Sequence, residues 1–268
     1  MTTTLRPAGP EERDAAGGRA RLYDIRVNSR AVGLLRLAAD ATGGTGRILR
    51  LEVDGPERRR GRATVAALAA EEVLRSWGCR HIQADIPATA GAALALASAL
   101  GYTESARTLV KGLTQPVPAP PPGTAVRAVT EEEYLGWLAQ QGPGFLPDAV
   151  PGAAAGALGT LPPGPGGTRP ALRMLAREGT DVGSLWLGLG GARLGHGTGG
   201  HVVSVAVRPR DQRRGYGRTL MHEAERICRQ AGVRRLGLKV SPANDPALRL
   251  YASLGYRISG IRLGKPLL

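Results

Sequence analysis

Residues Val205–Tyr256 read VAVRPRDQRRGYGRTLMHEAERICRQAGVRRLGLKVSPANDPALRLYASLGY, and this stretch decides the fold because the chain contains its pattern twice. The earlier copy, Leu51–Tyr102, reads LEVDGPERRRGRATVAALAAEEVLRSWGCRHIQADIPATAGAALALASALGY and aligns at a constant offset of 154 positions without a gap. The matches include Val53 with Val207, Gly61 with Gly215, Glu71 with Glu225, Gly78 with Gly232, and the shared ending Leu-Gly-Tyr. Self-similarity at a fixed period is typical of repeated structural units. The sequence therefore predicts two copies of one domain.

A proline-rich segment lies between the two copies. It reads TQPVPAPPPGTA at Thr114–Ala125 and contains five prolines. Because proline lacks a backbone N–H and favours extended backbone, the segment predicts a semi-rigid linker. We therefore expect domains at residues 1–113 and 124–268, joined by a linker at 114–123.

The order of elements can be predicted from the later copy. Apolar residues recur at helical spacing from Leu220 to Ala231, and Gly232 stands where a helix typically ends. The remaining elements are a strand at His201–Val207, a strand at Leu236–Val240, a short helix at Asp245–Gly255, a last strand at Tyr256–Leu263, an upstream hairpin around Gly179, and before it a helix capped by Thr130 and Glu133. The earlier copy keeps the hairpin strand Ala31–Leu37 but has little room for the helix before it. It is a trimmed copy.

A loop rich in arginine and glycine joins the strand to the long helix in the later copy. Glycines such as Gly215 and Gly217 permit positive φ and a close backbone approach, so that N–H groups line the N-terminus of the helix. The helix dipole adds roughly half a positive charge at this end, which suits a phosphate or pyrophosphate. The P-loop pattern is absent, and the third glycine of the dinucleotide-binding pattern is missing.

Two motifs carry a resemblance to a known family. QRRGYG (Gln212–Gly217) resembles the [Q/R]-x-x-G-x-[G/A] signature of the GNAT superfamily of N-acetyltransferases. NDPALRLYASLGY (Asn244–Tyr256) is similar to the second motif of that family, N-x-x-A-x-x-L-Y-x-x-L-G-[FY]. The resemblance implies an α/β fold with two tandem GNAT-like acyl-CoA N-acyltransferase domains, each a mixed β-sheet flanked by helices. It covers most of residues 124–268 and, through the repeat, about 20–113.

The resemblance also implies a reaction and a set of site residues. Family members bind acetyl-CoA between two splayed parallel strands and transfer the acetyl group to an amine. The pantetheine arm is expected beside Val205, Ala206 and Val207, and Asn244 is expected to contact the cofactor, although it could also cap the following helix. Tyr251 is the expected acid that protonates the departing thiolate. The expected pyrophosphate-binding residues are Gln212, Arg213, Arg214, Gly215, Tyr216, Gly217 and Arg218, among which the side chain of Tyr216 suits packing better than chemistry.

The sequence departs from the family pattern at two places. Some members carry a glutamate as general base where this chain has Lys239, so the base is unassigned among His201, His196, Glu133 and a water chain. The earlier copy has Ala90 and Ala97 where the later one has Asn244 and Tyr251. It keeps RRRGRA (Arg58–Ala63) and could still hold a CoA, but we expect it to be catalytically silent and mainly structural.

Composition bears on the partners. The formal net charge is +14, yet only three of the 36 basic residues are lysines and aromatic residues make up 4%, so nucleic acid is a poorly supported partner despite the charge. The expected acceptor is a small molecule or peptide with a primary amine; an aminoglycoside, a polyamine, a protein N-terminus and a cysteinyl pseudodisaccharide remain open. A non-catalytic CoA-binding sensor or interaction module is the alternative function.

Cysteine usage and hydropathy bear on the setting. Two cysteines, Cys79 and Cys228, make neither a disulfide framework nor a zinc site, and Cys228 is expected in the core. The first residues lack the apolar segment of a signal peptide, and the apolar run Ala88–Leu100 is too short to span a bilayer. We therefore expect a cytoplasmic protein without membrane contact, either a monomer whose halves form a pseudo-dimer or a homodimer.

Overall fold

The computed structural model describes residues 3–14, 17–41, 44–140, 171–193 and 198–267. The strands are β1 (Thr3–Pro7), β2 (Glu12–Arg13), β3 (Arg19–Val27), β4 (Arg30–Ala39), β5 (Thr45–Val53), β6 (His81–Pro87), β7 (Thr103–Gly112), β8 (Thr124–Ala128), β9 (Ala171–Arg177), β10 (Thr180–Arg193), β11 (Thr198–Val207), β12 (Arg235–Val240) and β13 (Arg257–Pro266). The helices are α1 (Arg62–Ser76), α2 (Gly91–Ala99), α3 (Glu131–Gln140), α4 (Tyr216–Gln230) and α5 (Asp245–Ser253). The sequence also predicts a loop at Gly142–Gly167, near which the amine would bind. This loop and the base candidate His196 lie outside the described residues.

Each half of the chain forms an α/β unit with a mixed sheet, as the resemblance implied. The N-terminal unit comprises residues 1–106 and 260–268. Its sheet has the order β1-β3-β4-β5-β6-β13, in which β5 and β6 are parallel and the other neighbours are antiparallel. Its core holds side chains from α1 and the sheet, including the fully buried Leu35, Leu74 and Ile82.

The C-terminal unit comprises residues 107–259 and repeats this arrangement. Its sheet has the order β7-β12-β11-β10-β9-β8, in which only β11 and β12 are parallel. Side chains of α4 form one core cluster with Leu185, whereas those of α3 form another with the adjacent Trp186. Because successive residues of a strand point to opposite faces, α4 and α3 cover opposite faces of the sheet.

Local signals in the sequence correspond well to these elements. The hairpin between β9 and β10 turns at Glu178 and Gly179, which both have positive φ, as tight hairpin turns require. Thr130 caps α3 by accepting a hydrogen bond from the backbone N–H of Glu133 at 3.2 Å, as predicted. Cys228 is fully buried on the apolar side of α4, also as predicted. Among the described residues no helix combines the length and apolar character needed to cross a bilayer.

The closing strand of each sheet comes from the other copy of the repeat. β7 follows the first copy, but its residues pair with β12, Leu109 opposite Leu238. β13 follows the second copy, but its residues pair with β6, Leu263 opposite Ala84. The structure thus divides the chain near residues 106 and 259, not at the proline-rich segment, which lies within the C-terminal unit. Both closing strands have the same repeat pattern, and the pattern alone does not encode which sheet a strand joins.

Each closing strand also brings a lysine to a buried glutamate. In the C-terminal unit the Nζ of Lys111 lies 2.7 Å from Oε1 of Glu225, which also accepts a hydrogen bond from the Tyr256 hydroxyl at 3.2 Å. In the N-terminal unit Lys265, Glu71 and Tyr102 form the equivalent cluster, with distances of 2.9 and 3.1 Å. Burial, and then the nearby carboxylate, raise the pKa of Tyr102 and of Tyr256 well above the usual value. Sequence comparison matched the glutamates and tyrosines but gave no role to the lysines.

Candidate active site

The parallel strands β11 and β12 separate halfway along their length. Their pairing covers Gly200 with Leu236, His201 with Gly237 and Val202 with Leu238, and extends no further within the described residues. β11 continues to Val207 and stays paired with β10 on its other side. The stretch from Val203 to Val207 therefore turns one backbone edge toward the gap, where it can hold an extended chain bearing amides. Val205, Ala206 and Val207, predicted to contact pantetheine, lie on this edge.

The loop after β11 has the backbone conformation of an anion-binding nest. Arg213 and Gly215 have φ values of +61° and +85°, and Gly215 is the N-cap of α4 without a side chain to cap it. The N–H groups in the first turn of a helix have no partner within the helix, so they point toward whatever lies before the N-terminus. Gln212 fixes this conformation, because its Nε2 donates a hydrogen bond to the carbonyl of Val207 at 3.2 Å.

Several loop arginines have partners within the protein. The buried Asp211 has Arg208, Arg210 and Arg214 within 2.9, 3.8 and 4.0 Å of its carboxylate oxygens. Arg218 donates a hydrogen bond to the Ser253 hydroxyl at 2.7 Å and so links α4 to α5. Part of the positive charge of the loop is thus balanced locally. The backbone conformation, rather than the number of arginines, distinguishes this loop as a candidate phosphate site.

Two further loop residues act through packing. The side chain of Tyr216 is buried in the core beneath α4, in line with the packing role expected for it. A Cβ added at Gly217 would lie 3.2 Å from Cδ2 of Leu250, so the absence of a side chain there lets α4 approach α5 closely. Gly215 has no atom within 4 Å of such a Cβ, and its requirement for glycine comes from its positive φ.

The second motif brings Tyr251 and Asn244 to α5. Tyr251 is buried, 9% exposed, and packs edge-on against Tyr256 with ring centroids 6.0 Å apart. Burial raises the pKa of Tyr251 to about 12, so its hydroxyl is protonated at neutral pH, as that of an unshifted tyrosine would be. Asn244 caps α5, because its Oδ1 accepts a hydrogen bond from the N–H of Ala247 at 3.1 Å. The capping role considered for Asn244 is therefore present, and a cofactor contact would use its side-chain NH₂.

The candidate bases have different surroundings. Burial, and then the charge of Lys239, lower the pKa of His201 to about 4, which leaves the imidazole neutral near pH 7. Glu133 is engaged elsewhere, since its Oε1 lies 2.5 Å from a guanidinium nitrogen of Arg127. His201 is therefore the described candidate that combines a neutral nitrogen with a position next to the separating strands.

A buried group of hydroxyls beneath α3 was missed by sequence reasoning. Tyr134, Ser184 and Ser204 are almost completely buried, and burial raises the pKa of Tyr134 while the neighbouring Ser204 and Ser184 oppose that rise. The signal in the sequence was a lone serine inside each of two apolar strands, VGSLWL and VVSVAV. Such serines face a core, and the sequence does not say which tyrosine meets them.

The N-terminal unit keeps the frame of this site but has alanines in place of Asn244 and Tyr251. β5 and β6 stay paired only from Thr45 to Ile48 on β5, and the following loop has φ values of +59° at Arg59 and +73° at Gly61. Arg58 takes the position of Gln212, because its Nε donates to the carbonyl of Val53 at 2.8 Å. Ala90 is the N-cap of α2 and gives no side-chain hydrogen bond. The loop geometry thus occurs twice, and the hydroxyl of Tyr251 occurs once.

Comparison with known proteins agrees with the duplication. A sequence model described as the acetyltransferase (GNAT) family matches residues 4–102 and again residues 167–256. A curated Bacillus subtilis protein with the name "Putative (ribosomal protein bS18)-alanine N-acetyltransferase" is 34% identical over 61 residues. This match covers 23% of the chain and 40% of that relative.

Solved structures are similar over nearly the whole chain. A tandem GNAT protein from the clavulanic acid biosynthesis pathway has a TM-score of 0.58 and 17% identity, covering 96% of this chain and 85% of that one. A GCN5-related N-acetyltransferase from Sphaerobacter thermophilus has a TM-score of 0.62 and 19% identity, covering 92% of this chain and 80% of that one. At these identities the likeness concerns the fold.

Proposed function

The chain belongs to the acetyltransferase (GNAT) family, with two tandem copies of the domain, and from this premise we propose that its C-terminal half transfers an acetyl group from acetyl-CoA to a primary amine. The acceptor is a small molecule or a peptide. The observation that carries the proposal is the separation of β11 from β12 beyond Val202, directly before the nest at Arg213–Gly215. An extended, amide-containing arm with a diphosphate at one end matches both features.

Each group has a defined task in the proposed reaction. The loop N–H groups at the start of α4 bind the diphosphate, and the edge of β11 orients the pantetheine arm. The amine nitrogen attacks the thioester carbonyl, the C–N bond forms as the C–S bond breaks, and a backbone N–H of β11 stabilises the oxyanion. Tyr251 gives its proton to the leaving sulfur. His201, or water beside it, takes the proton that the amine loses.

A thiol-release assay with acetyl-CoA and a panel of amines tests the catalytic part. The panel holds polyamines, aminoglycosides, amino sugars and peptides with free N-termini. We expect turnover with at least one amine, and Tyr251→Phe should lower kcat by about 100-fold or more because the proton donor is lost. The variant should bind acetyl-CoA and melt like the wild type, which separates catalysis from folding. Cofactor binding without turnover on any amine would favour the alternative, a CoA-binding sensor.

A second experiment tests the nest through Gly215. Gly215→Glu adds a negative charge and a side chain at a left-handed position, so we expect calorimetry to show at least about tenfold weaker acetyl-CoA binding. Gly215→Asn is the matched control, because asparagine tolerates positive φ and adds no charge. Gly61→Glu makes the same change in the other copy and should leave the strong site intact. Unchanged binding in Gly215→Glu would refute the loop assignment. Gly217→Glu is less selective, since its side chain would also push against Leu250.

A further inference from the structure

The N-terminal unit contains a cavity of about 470 Å³ at the place where β5 and β6 separate. It is lined by residues 48–52 of β5, residues 84–87 of β6, and residues of α2 that include Ala93 and Ala97. Its volume falls within the range of small-molecule sites in proteins, about 300–1,000 Å³. The cavity lies wholly within this unit, which was expected to be mainly structural.

At three positions around the cavity, alanine stands where the C-terminal half has a large side chain. Ala97, Ala67 and Ala84 line it or its floor, and the equivalent residues of the C-terminal half are Tyr251, Met221 and Leu238. Those three larger side chains are buried in their own core, at 9, 0 and 1% exposure. Three alanines at positions that meet in space remove a tyrosine ring, a thioether chain and an isobutyl group. The space they open lies where the C-terminal half holds its proposed proton donor, beside the thioester position.

The surroundings of the cavity combine an apolar end with an anion-binding end. Beyond Ile48 one edge of β5 faces the gap, as in β11. The loop that follows keeps the positive φ values at Arg59 and Gly61, and it carries a run of arginines from Arg58 to Arg60. The N-cap Gly61 has no side chain to occupy the first N–H groups of α1. A ligand that fits all of this has a diphosphate, an amide-containing arm and an apolar tail.

We propose that the N-terminal half binds, without consuming it, a CoA thioester whose acyl chain is longer than acetyl. Ala97 supplies no proton for the thiolate, so a bound thioester persists there. The alanine-lined space takes the additional methylenes, each of which contributes about fourfold in affinity when it is fully buried. The ligand class follows from the proposed function of the other half, and the test disables that half so that the two proposals can fail separately.

The experiment uses the full chain carrying Gly215→Glu, titrated by calorimetry with octanoyl-CoA, acetyl-CoA, CoA and octanoate. We expect one equivalent of octanoyl-CoA to bind at least about tenfold more tightly than acetyl-CoA, because part of the chain is buried. Adding Ala67→Met, or Ala97→Tyr, fills the space as in the other half and should abolish this preference. Adding Gly61→Glu should weaken both thioesters, since it acts at the diphosphate end.

In the titration of the chain carrying Gly215→Glu alone, three outcomes overturn the proposal: no binding of octanoyl-CoA, equal affinities for octanoyl-CoA and acetyl-CoA, or octanoate binding as tightly as its CoA thioester. The last would indicate a site for a plain carboxylic acid. Thermal melting of each variant reports folding, and Ala67→Met decides the question if Ala97→Tyr melts early, because methionine adapts to irregular space. A preference for octanoyl-CoA that survives both filling variants would also contradict the assignment of the cavity.

Discussion

The two halves of the chain share a backbone frame and differ in the side chains placed on it. In both, parallel strands separate at the same register, and a residue and a glycine with positive φ precede the long helix. The C-terminal half adds Tyr251 and the cap Asn244, whereas the N-terminal half has alanines at these positions and a cavity beside them. The comparison teaches that two domains can share one backbone frame while they differ in the side chains to which we assign the reaction.

The largest expected effect is on the folding of fragments that contain only the C-terminal half. A fragment 124–268 has the bounds predicted from the linker, but it lacks β7, whose Leu109 and the following Leu113 are buried in the C-terminal core. A fragment 107–259 keeps that strand. We expect the second fragment to melt cooperatively and the first to remain unfolded, because it would leave β12 without its closing strand and Glu225 without Lys111. Circular dichroism and thermal melting measure the difference.

Cooperative unfolding of the fragment 124–268 would contradict this prediction. A fragment 124–268 with a cooperative transition would mean that β13 can close its own sheet, so the exchange of strands would not be required for folding. The reciprocal fragment 1–113, without β13, serves as the matched control and should fail in the same way, since Leu263 and Leu267 belong to the N-terminal core.

Substitution of the buried glutamates tests whether the two clusters contribute equally to the free energy of unfolding. Glu225→Gln should lower the free energy of unfolding by about 3 kcal/mol, because the Lys111 ammonium would keep its partly buried position without a counter-charge. Glu71→Gln should cost a similar amount through Lys265. Urea unfolding measures both. The double variant Glu225→Gln/Lys111→Met should recover much of the loss, and a double variant as unstable as the single one would contradict the electrostatic explanation.

A smaller effect should distinguish the halves at mildly acidic pH. The pKa of His201 is lowered to about 4, so the unfolded chain takes up a proton below pH 6.5 that the folded chain does not. Stability of the C-terminal half should therefore fall by about 2 kcal/mol between pH 6.5 and about 5. The N-terminal half has no histidine at the equivalent position, where Arg47 stands. Hydrogen exchange should show weaker protection of β11 and β12 but not of β5 and β6.

His201→Gln is the control for this pH effect, because glutamine does not titrate. The variant should lose less protection of β11 and β12 than the wild type between pH 6.5 and about 5, and the remaining loss comes from His222 on α4, because burial lowers the pKa of His222 as well. An equal loss of protection in the variant would assign the acid sensitivity to another group.

Much of the frame could be predicted from sequence because it depends on local patterns. Helical spacing located α4, the proline near its start and the glycine after its end indicated α5, and the fixed offset revealed the duplication. The partners of the closing strands could not be predicted, since β7 and β13 have equivalent patterns and either sheet provides an equivalent edge. The ion pairs of Lys111 and Lys265 depend on that exchange, so they could not be predicted either. The cavity was also missed, because it depends on three alanines that are distant in sequence and adjacent only in the folded unit.

The exchanged closing strands have a consequence for synthesis on the ribosome. Residues 1–106 are translated before the C-terminal unit, yet their sheet is completed only by Gly260–Pro266, which are translated after that unit. The C-terminal unit already has β7 available when β12 appears. The half that is translated first therefore completes its sheet last. Until then the edge of β6 is unpaired and can form hydrogen bonds with other chains, so we expect chaperones to shield it during translation.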